Sequence, residues 1–433
     1  MNLLEEFIIL LIIIYAIVMT VGALLQKYAK LPWMFTIILT GLVFANVGLF
    51  KFVESDPAFK AFSNIGQLCL LFTIGLSIDF KEFRKLAKDL FVGNFITCFV
   101  EGIGLSLLFY FVMPAQFSNS YLICFLTGVG FATIGEVILI AILTELKIER
   151  TKFGQLTIGM GIADDFLEIS ILTFVSTLPF FYSTDGSVVN SDPAQVSLKW
   201  ILLAVSLLII FGITFVATKI GKKSKTFLMK LVKDYPFVNG VLYLTIFLGM
   251  ISLGGMFIKE VEVLGAIFAG IMCQMIFPEK IAEKLEGNFK FLMMFVGPFF
   301  FFMVGYKISI LAIVANLFLV ILIIAVSIAG RVGSTVLVFR KHFKETRTAI
   351  TFGFGLCTKF STSIVILAIL LEHSYITSMI YSVIMTAFLA EKVVTVLVYS
   401  VGVGKMVKRA EEAGGTACVD DCFRTDLKDL KSI

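Results

Sequence analysis

The sequence predicts an all-α polytopic membrane fold of about thirteen spanning helices, arranged as two inverted six-helix halves with crossing broken helices. Three observations carry that expectation. The composition is too apolar for a water-soluble domain, apolar segments of spanning length recur along the whole chain, and a string of residues near 130 returns near 355 in the same order.

Of the 433 residues, 59% are hydrophobic and only 15% are charged, which places the chain in a bilayer rather than among soluble enzymes. A hydrocarbon core of about 30 Å needs roughly 20 apolar residues per helix, and helices are the default spanning element because backbone groups in lipid must be satisfied within the segment. Spans are expected at 5–25, 32–50, 62–79, 90–113, 119–145, 154–180 and 198–219. The remainder are 235–257, 260–277, 289–306, 309–338, 346–371 and 374–402. Residues 1–404 thus form one transmembrane domain and 405–433 a cytoplasmic tail, with no regulatory domain expected beyond it.

Lys and Arg concentrate in "QKYAK", "KEFRKLAK", "KIERTK", "KIGKKSKTFLMKLVK", "RKHFKETR" and "GKMVKR", all on one side of this topology. The uncharged or acidic loops "MPAQFSNS" and "STDGSVVNSDPAQ" fall on the other. The positive-inside rule then puts the amino terminus outside and the carboxyl terminus in the cytoplasm. "MNLLEEF" lacks a basic n-region, so the first apolar run reads as a retained span. Five of the seven cysteines lie in spans, and Cys418 and Cys422 in "CVDDC" could form a redox pair, although on a tail expected in the reducing cytosol two free thiols are the favoured reading. The net charge of +5 sits mainly on cytoplasmic loops and needs no nucleic-acid partner.

The repeat is carried by "TGVGFAT" at 127–133 against "FGFGLCT" at 352–358, and by "VILIAILTE" at 137–145 against "IVILAILLE" at 364–372. Repeat one then covers about 5–180 and repeat two about 235–402, with 198–219 as a linker helix. Corresponding helices are seven crossings apart and run in opposite directions, a pattern of many secondary transporters.

The best-matched strings put glycines and hydroxyl residues in the middle of the fifth and twelfth spans, and both helices are expected to unwind there. The alternative use of these glycines is close helix packing. Thr133, Glu136, Thr358, Lys359, Ser361 and Ser363 accompany them and favour a polar cavity.

In the sixth span, "GIADDFLEISIL" places Asp164 and Asp165 about ten residues in from Gly154, roughly 15 Å deep. Glu168 lies on the same face at i+4 and i+3. Intramembrane acids normally face a bundle interior and mark ion or proton paths. A neighbouring carboxylate pair at that depth can hold protons or a cation, and strongly disfavours both or neither. The alternative is that the aspartates only neutralise buried bases. Arg331, Lys359 and Lys392 are the bases within spans, against the acids Glu101, Glu136, Asp164, Asp165, Glu168 and Glu391. Glu391 and Lys392 stand at the repeat positions of Asp164 and Asp165, either facing them across the site or forming an interfacial ion pair.

"GIADDFLEI" after "AILTELKI", with "LLFTIGLSIDF", "PFFFFMVGYKIS" and "SIAGRVGS", resembles the monovalent cation/proton antiporters of the two-aspartate type over roughly residues 5–402. The resemblance implies a core domain, here 90–180 and 309–402, and a dimerisation domain in a homodimer. It implies that Asp165 is the principal ion and proton carrier, that Asp164 assists, and that Arg331 on the eleventh span pairs with the aspartates. Two departures stand out. Relatives often have Lys at the position of Arg331, and an arginine cannot serve as a proton carrier. Many carry a basic-Gly-acid triplet where this chain has Lys359-Phe360-Ser361, so Glu136 is expected to substitute as the partner of Lys359.

The function expected is exchange of a small monovalent cation, Na⁺ first, for H⁺ by alternating access in a prokaryotic-type inner membrane. Asp165, Asp164 and Thr133 would bind the ions, and Arg331, Lys359, Glu136, Glu168, Glu391 and Lys392 would be charge partners. No enzyme activity and no cofactor are expected, and ion gradients would supply the energy. The alternatives are a Na⁺-coupled solute symporter on the same fold, a K⁺/H⁺ antiporter, and, from other classes, a cation channel or a non-transporting sensor.

Overall fold

The computed structural model describes residues 3–29, 32–77, 88–135, 139, 142–143, 148, 151–181, 193–223, 236–256, 262–277, 279–359 and 361–412. Some side chains inside these helices, Asp165 and Ser361 among them, lie outside the described set, as do Glu136 and the "CVDDC" tail. The described residues are all-α, as apolar sequence in lipid requires. Five helices among them are long and apolar enough to cross a membrane, joined by shorter apolar ones, so the chain is a multi-pass integral membrane protein.

The chain divides into two compact units, residues 1–50, 80–172 and 304–433 in one and 51–79 and 173–303 in the other. The first unit begins with α1 (Leu3–Ile17), which runs through a π turn at Val18–Gly22 into α2 (Ala23–Ala29). Helix α3 (Trp33–Val47) ends where Gly48 turns left-handed at φ 79° and lets Leu49 donate back to the Phe44 carbonyl at 2.9 Å, a glycine stop for a helix end. The second unit contains α4 (Pro57–Ser77), α8 (Pro193–Lys223), α9 (Pro236–Gly255) and α10 (Glu262–Ile276). There α4 and α10 meet at glycines: a Cβ on Gly75 would stand 2.1 Å from the Ile267 carbonyl oxygen, and one on Gly270 2.2 Å from that of Phe72. Packing this close is how helices associate where lipid removes the hydrophobic drive.

The remaining helices of the first unit build the site. They are α5 (Lys88–Val112), α6 (Tyr121–Phe131), the greater part of α7 (Lys152–Phe181), α12 (Ile310–Ala315), α13 (Leu317–Phe339), α14 (Thr346–Leu356), α15 (Ser361–Glu372) and α16 (Ser378–Glu412). Helix α11 (Glu279–Tyr306) closes the second unit and runs into the first. Gly128 of α6 would put a Cβ 2.4 Å from the Gly102 carbonyl oxygen of α5, and Gly330 of α13 meets the Glu101 Cα at 3.0 Å. These contacts draw α6 and α13 onto α5. A phenylalanine cluster, Phe153, Phe339, Phe343 and Phe352 with Tyr399, packs α7, α13, α14 and α16 together.

Several expected spans change their bounds for one reason: hydropathy marks the apolar part of a helix and not its polar turns. Helix α11 starts ten residues before the apolar run at 289, through "EKIAEKLEGN", and α16 continues ten residues past 402 through "KMVKRAEE". The expected span 309–338 is divided at Asn316, whose side-chain amide folds back onto the Ala312 carbonyl at 2.9 Å.

Both glycine-bearing spans are broken. Helix α6 stops at Phe131, and Ala132 to Gly135 are not helical; α14 stops at Leu356, and α15 resumes at Ser361. The breaks lie just beyond the glycines. Gly128, Gly130, Gly353 and Gly355 are all within helical turns, and each has a neighbour within 3.0 Å of where a Cβ would be. Close packing is therefore their role, and the unwinding falls on the residues that follow, Ala132 to Gly135 and Cys357 to Lys359.

Candidate functional site

The two breaks meet. The Gly135 amide donates to the Thr358 carbonyl, and the Thr133 and Ser363 hydroxyls share a hydrogen bond of 2.7 Å. Unwinding frees backbone groups that a continuous helix would consume, and the neighbouring elements use them.

Asp164 stands about twelve residues into α7, roughly 18 Å from its start, and is fully buried. One oxygen accepts from the Asn94 side-chain amide of α5 at 2.8 Å, the other from the Ile134 backbone amide in the first break at 2.5 Å. Among the described residues no cationic group lies within ion-pair distance of it. Asp165 follows on the same helix, with its side chain outside the described set. Glu168, one turn on, accepts from Thr362 at 2.5 Å, in the first turn of α15, where a helix N-terminus favours negative charge.

The described partners of the basic residues are glutamates and hydroxyls. Arg331 of α13 donates from Nε to Glu101 Oε2 at 2.6 Å and from Nη1 to Thr97 at 3.4 Å, and its expected pairing with Asp165 falls on a side chain outside the described set. Glu136, the expected partner of Lys359, lies outside the described residues. The Lys359 ammonium is held by Glu101 Oε1 and Glu391 Oε1, both at 2.6 Å, and by the Ser327 hydroxyl at 2.5 Å, with the Phe131 ring face 4.3 Å away. It follows the C-terminus of α14 and touches the last residue of α6, two helix ends that favour a cation. Glu391 of α16 thus pairs with Lys359 of the second break. Lys392, its neighbour on α16, is buried as well.

Glu101 is the hub that sequence reading missed. Sequence marks it only as an embedded acid, yet it binds both Arg331 and Lys359. The signal was available: Asn94, Thr97 and Glu101 stand at i, i+3 and i+7 on α5, a polar stripe on one helix face. Ser327, one turn before Arg331, and Thr362 were missed because an isolated hydroxyl in an apolar span is common.

The family described as sodium/hydrogen exchanger, transmembrane, matches residues 12–408. The chain belongs to the sodium/hydrogen exchanger family. A Na(+)/H(+) antiporter of Enterococcus hirae is 23% identical over 381 residues, which are 86% of this chain and 93% of that protein. The Bacillus subtilis protein YjbQ, provisionally named a Na(+)/H(+) antiporter, is 24% identical over 81% of this chain. That match covers 56% of YjbQ, so the chain spans little more than half of that relative. The high-affinity Na(+)/H(+) antiporter NhaS3 of Synechocystis is 27% identical over 67% of this chain and 60% of its own length. Among solved structures, the sodium proton antiporter MjNhaP1 of Methanocaldococcus jannaschii at pH 8 superposes with a TM-score of 0.58 over 94% of this chain and 98% of that one. At 14% identity this likeness speaks for a shared exchanger fold alone.

Proposed function

We propose that this chain of the exchanger family is a secondary active antiporter of the two-aspartate type, exchanging Na⁺ for H⁺ by alternating access. Asp164 and Asp165 carry the cation and protons, and Thr133 contributes an oxygen beside them. The observation behind this reading is Asp164, a fully buried carboxylate with no cation at ion-pair distance among the described residues. A charge in that position is neutralised by a proton or by a small cation from solution, and the two compete for it. The printed names of the Enterococcus and Synechocystis relatives support Na⁺ and H⁺ as the exchanged ions.

Further support comes from the meeting of the two broken helices beside Asp164, since unwound backbone in a bilayer is tolerated where it lines a polar site. All these side chains belong to 90–180 and 309–402, the moving core of this reading. The pseudo-symmetric six-helix halves, the homodimer, the inner-membrane location with the amino terminus outside, and gradient energy without a cofactor belong to the same proposal.

The test is a proteoliposome assay in which a pH gradient collapses on addition of Na⁺, Li⁺ or K⁺, with membrane potential clamped and free. Wild-type protein is expected to collapse it with Na⁺, and Asp165→Asn to abolish the response. Cation-driven proton movement that survives intact in Asp165→Asn sinks the assignment.

A further inference from the structure

The cluster around Lys359 contains more hydrogen-bond contacts than its protons can serve when every acid in it is ionised. Lys359 offers three protons, directed to Glu101 Oε1, Glu391 Oε1 and Ser327 Oγ. The Ser327 hydroxyl has a single proton, yet its oxygen lies 2.5 Å from Glu101 Oε1 and 2.8 Å from Glu391 Oε1. One hydroxyl proton makes one strong bond. The second contact is an oxygen against an oxygen with nothing between them, unless one carboxyl supplies a proton of its own.

Glu101 is the poorer place for that proton, because its other oxygen accepts from Arg331 Nε at 2.6 Å, and both of its oxygens face cations. Glu391 is the better place. Its Oε2 is buried and has no hydrogen-bond partner among the described residues, so the carboxylate is only half satisfied. An unsatisfied, buried charged oxygen is costly, and a proton on the carboxyl removes the charge. With its proton Glu391 donates to Ser327, Ser327 donates to Glu101, and Lys359 bonds all three. Every contact is then served.

Charge points the same way. Within this network Glu101, Glu391, Arg331 and Lys359 sum to zero when all are ionised, so the quartet brings no net charge to Asp164. One proton on Glu391 makes the quartet +1 and balances that aspartate, which Arg331 reaches electrostatically. The groups facing Glu391 are Lys359 and the Cys357 thiol from the second break, Glu101 from α5 and Ser327 from α13, with Lys392 beside it on α16.

We propose that Glu391 is a proton-binding site of the exchange cycle, additional to the aspartate pair. It holds a proton while Asp164 is free of cation and releases it to solvent when a monovalent cation docks there. The cation brings one positive charge to Asp164 as the quartet gives one up, and the aspartate pair sheds its own proton as well, so two protons leave for each cation bound. This rests on the antiporter reading above.

The experiment measures protons released per Na⁺ bound by purified detergent-solubilised protein in weakly buffered indicator solution. Release in the wild type is expected to fall to roughly half in Glu391→Gln, as two proton sites become one. Undiminished release per Na⁺ in Glu391→Gln overturns the inference, whereas absence of Na⁺-driven release in the wild type overturns the antiporter reading itself. Infrared difference spectra with and without Na⁺ give a second readout that does not depend on that variant folding. The wild type is expected to lose a protonated-carboxyl stretching band on Na⁺ addition, and Glu391→Asp to shift it. A band unmoved in Glu391→Asp, or no such band in the wild type, overturns the inference.

Discussion

At Glu101 a single carboxylate satisfies two buried cations, Arg331 and Lys359, on helices far apart in sequence. Removing one partner of a buried ionic group leaves the other uncompensated, at about 3–5 kcal/mol. Glu101→Gln is therefore expected to destabilise the protein by about that amount, read as a lower melting temperature in detergent, with Glu101→Asp intermediate. An unchanged melting temperature would show that water reaches the cluster. The embedded acids and bases were legible in the sequence, and Asp164 and Glu168 are indeed buried. Which base met which acid was not legible, because α5, α13, the second break and α16 converge only in the folded bundle.

Among the elements, the glycines and the breaks divide the work. Helix contact at Gly75 and Gly270 leaves no room for a side chain, whereas Gly249 of α9 has nothing within 4 Å of its Cβ position. Gly75→Leu is expected to abolish folded, monodisperse protein on size-exclusion chromatography, while Gly249→Ala is expected to stabilise it by about 1 kcal/mol through helix propensity. Equal yields from the two would refute the packing role. The strings "TGVGFATIG" and "FGFGLCTKFSTS" announced two weak helices from sequence alone. The position of each break was decided by tertiary contacts. The Ile134 and Gly135 amides found acceptors in Asp164 and Thr358, and Lys359 found two glutamates, so those residues gave up helical bonds for better-placed ones.

For the whole molecule, the exchange reading makes a pH prediction that no single contact does. If cation and protons compete for one buried site, the Na⁺ concentration for half-maximal exchange rises as pH falls, by about tenfold per pH unit for each competing proton. Transport measured at several pH values and Na⁺ concentrations checks this, and a half-saturation independent of pH rules out competition. The sign follows from mass action: protons bind the cation-free form, so acid depletes the state that accepts Na⁺.

The sequence by itself determined the solvent, the all-helical class and the chemistry to expect. Lipid forces backbone satisfaction within each segment, and buried charge is too unfavourable to be accidental. The tertiary structure decided the pairing of those charges. Glu101 binds Arg331 and Lys359, Glu391 joins Lys359 and Ser327, and Asp164 is held, among the described residues, by neutral donors. Periodicity assigns a residue to a helix face, but distances between faces arise only when helices pack. In an apolar medium those distances determine which charge is already neutralised and which needs an ion.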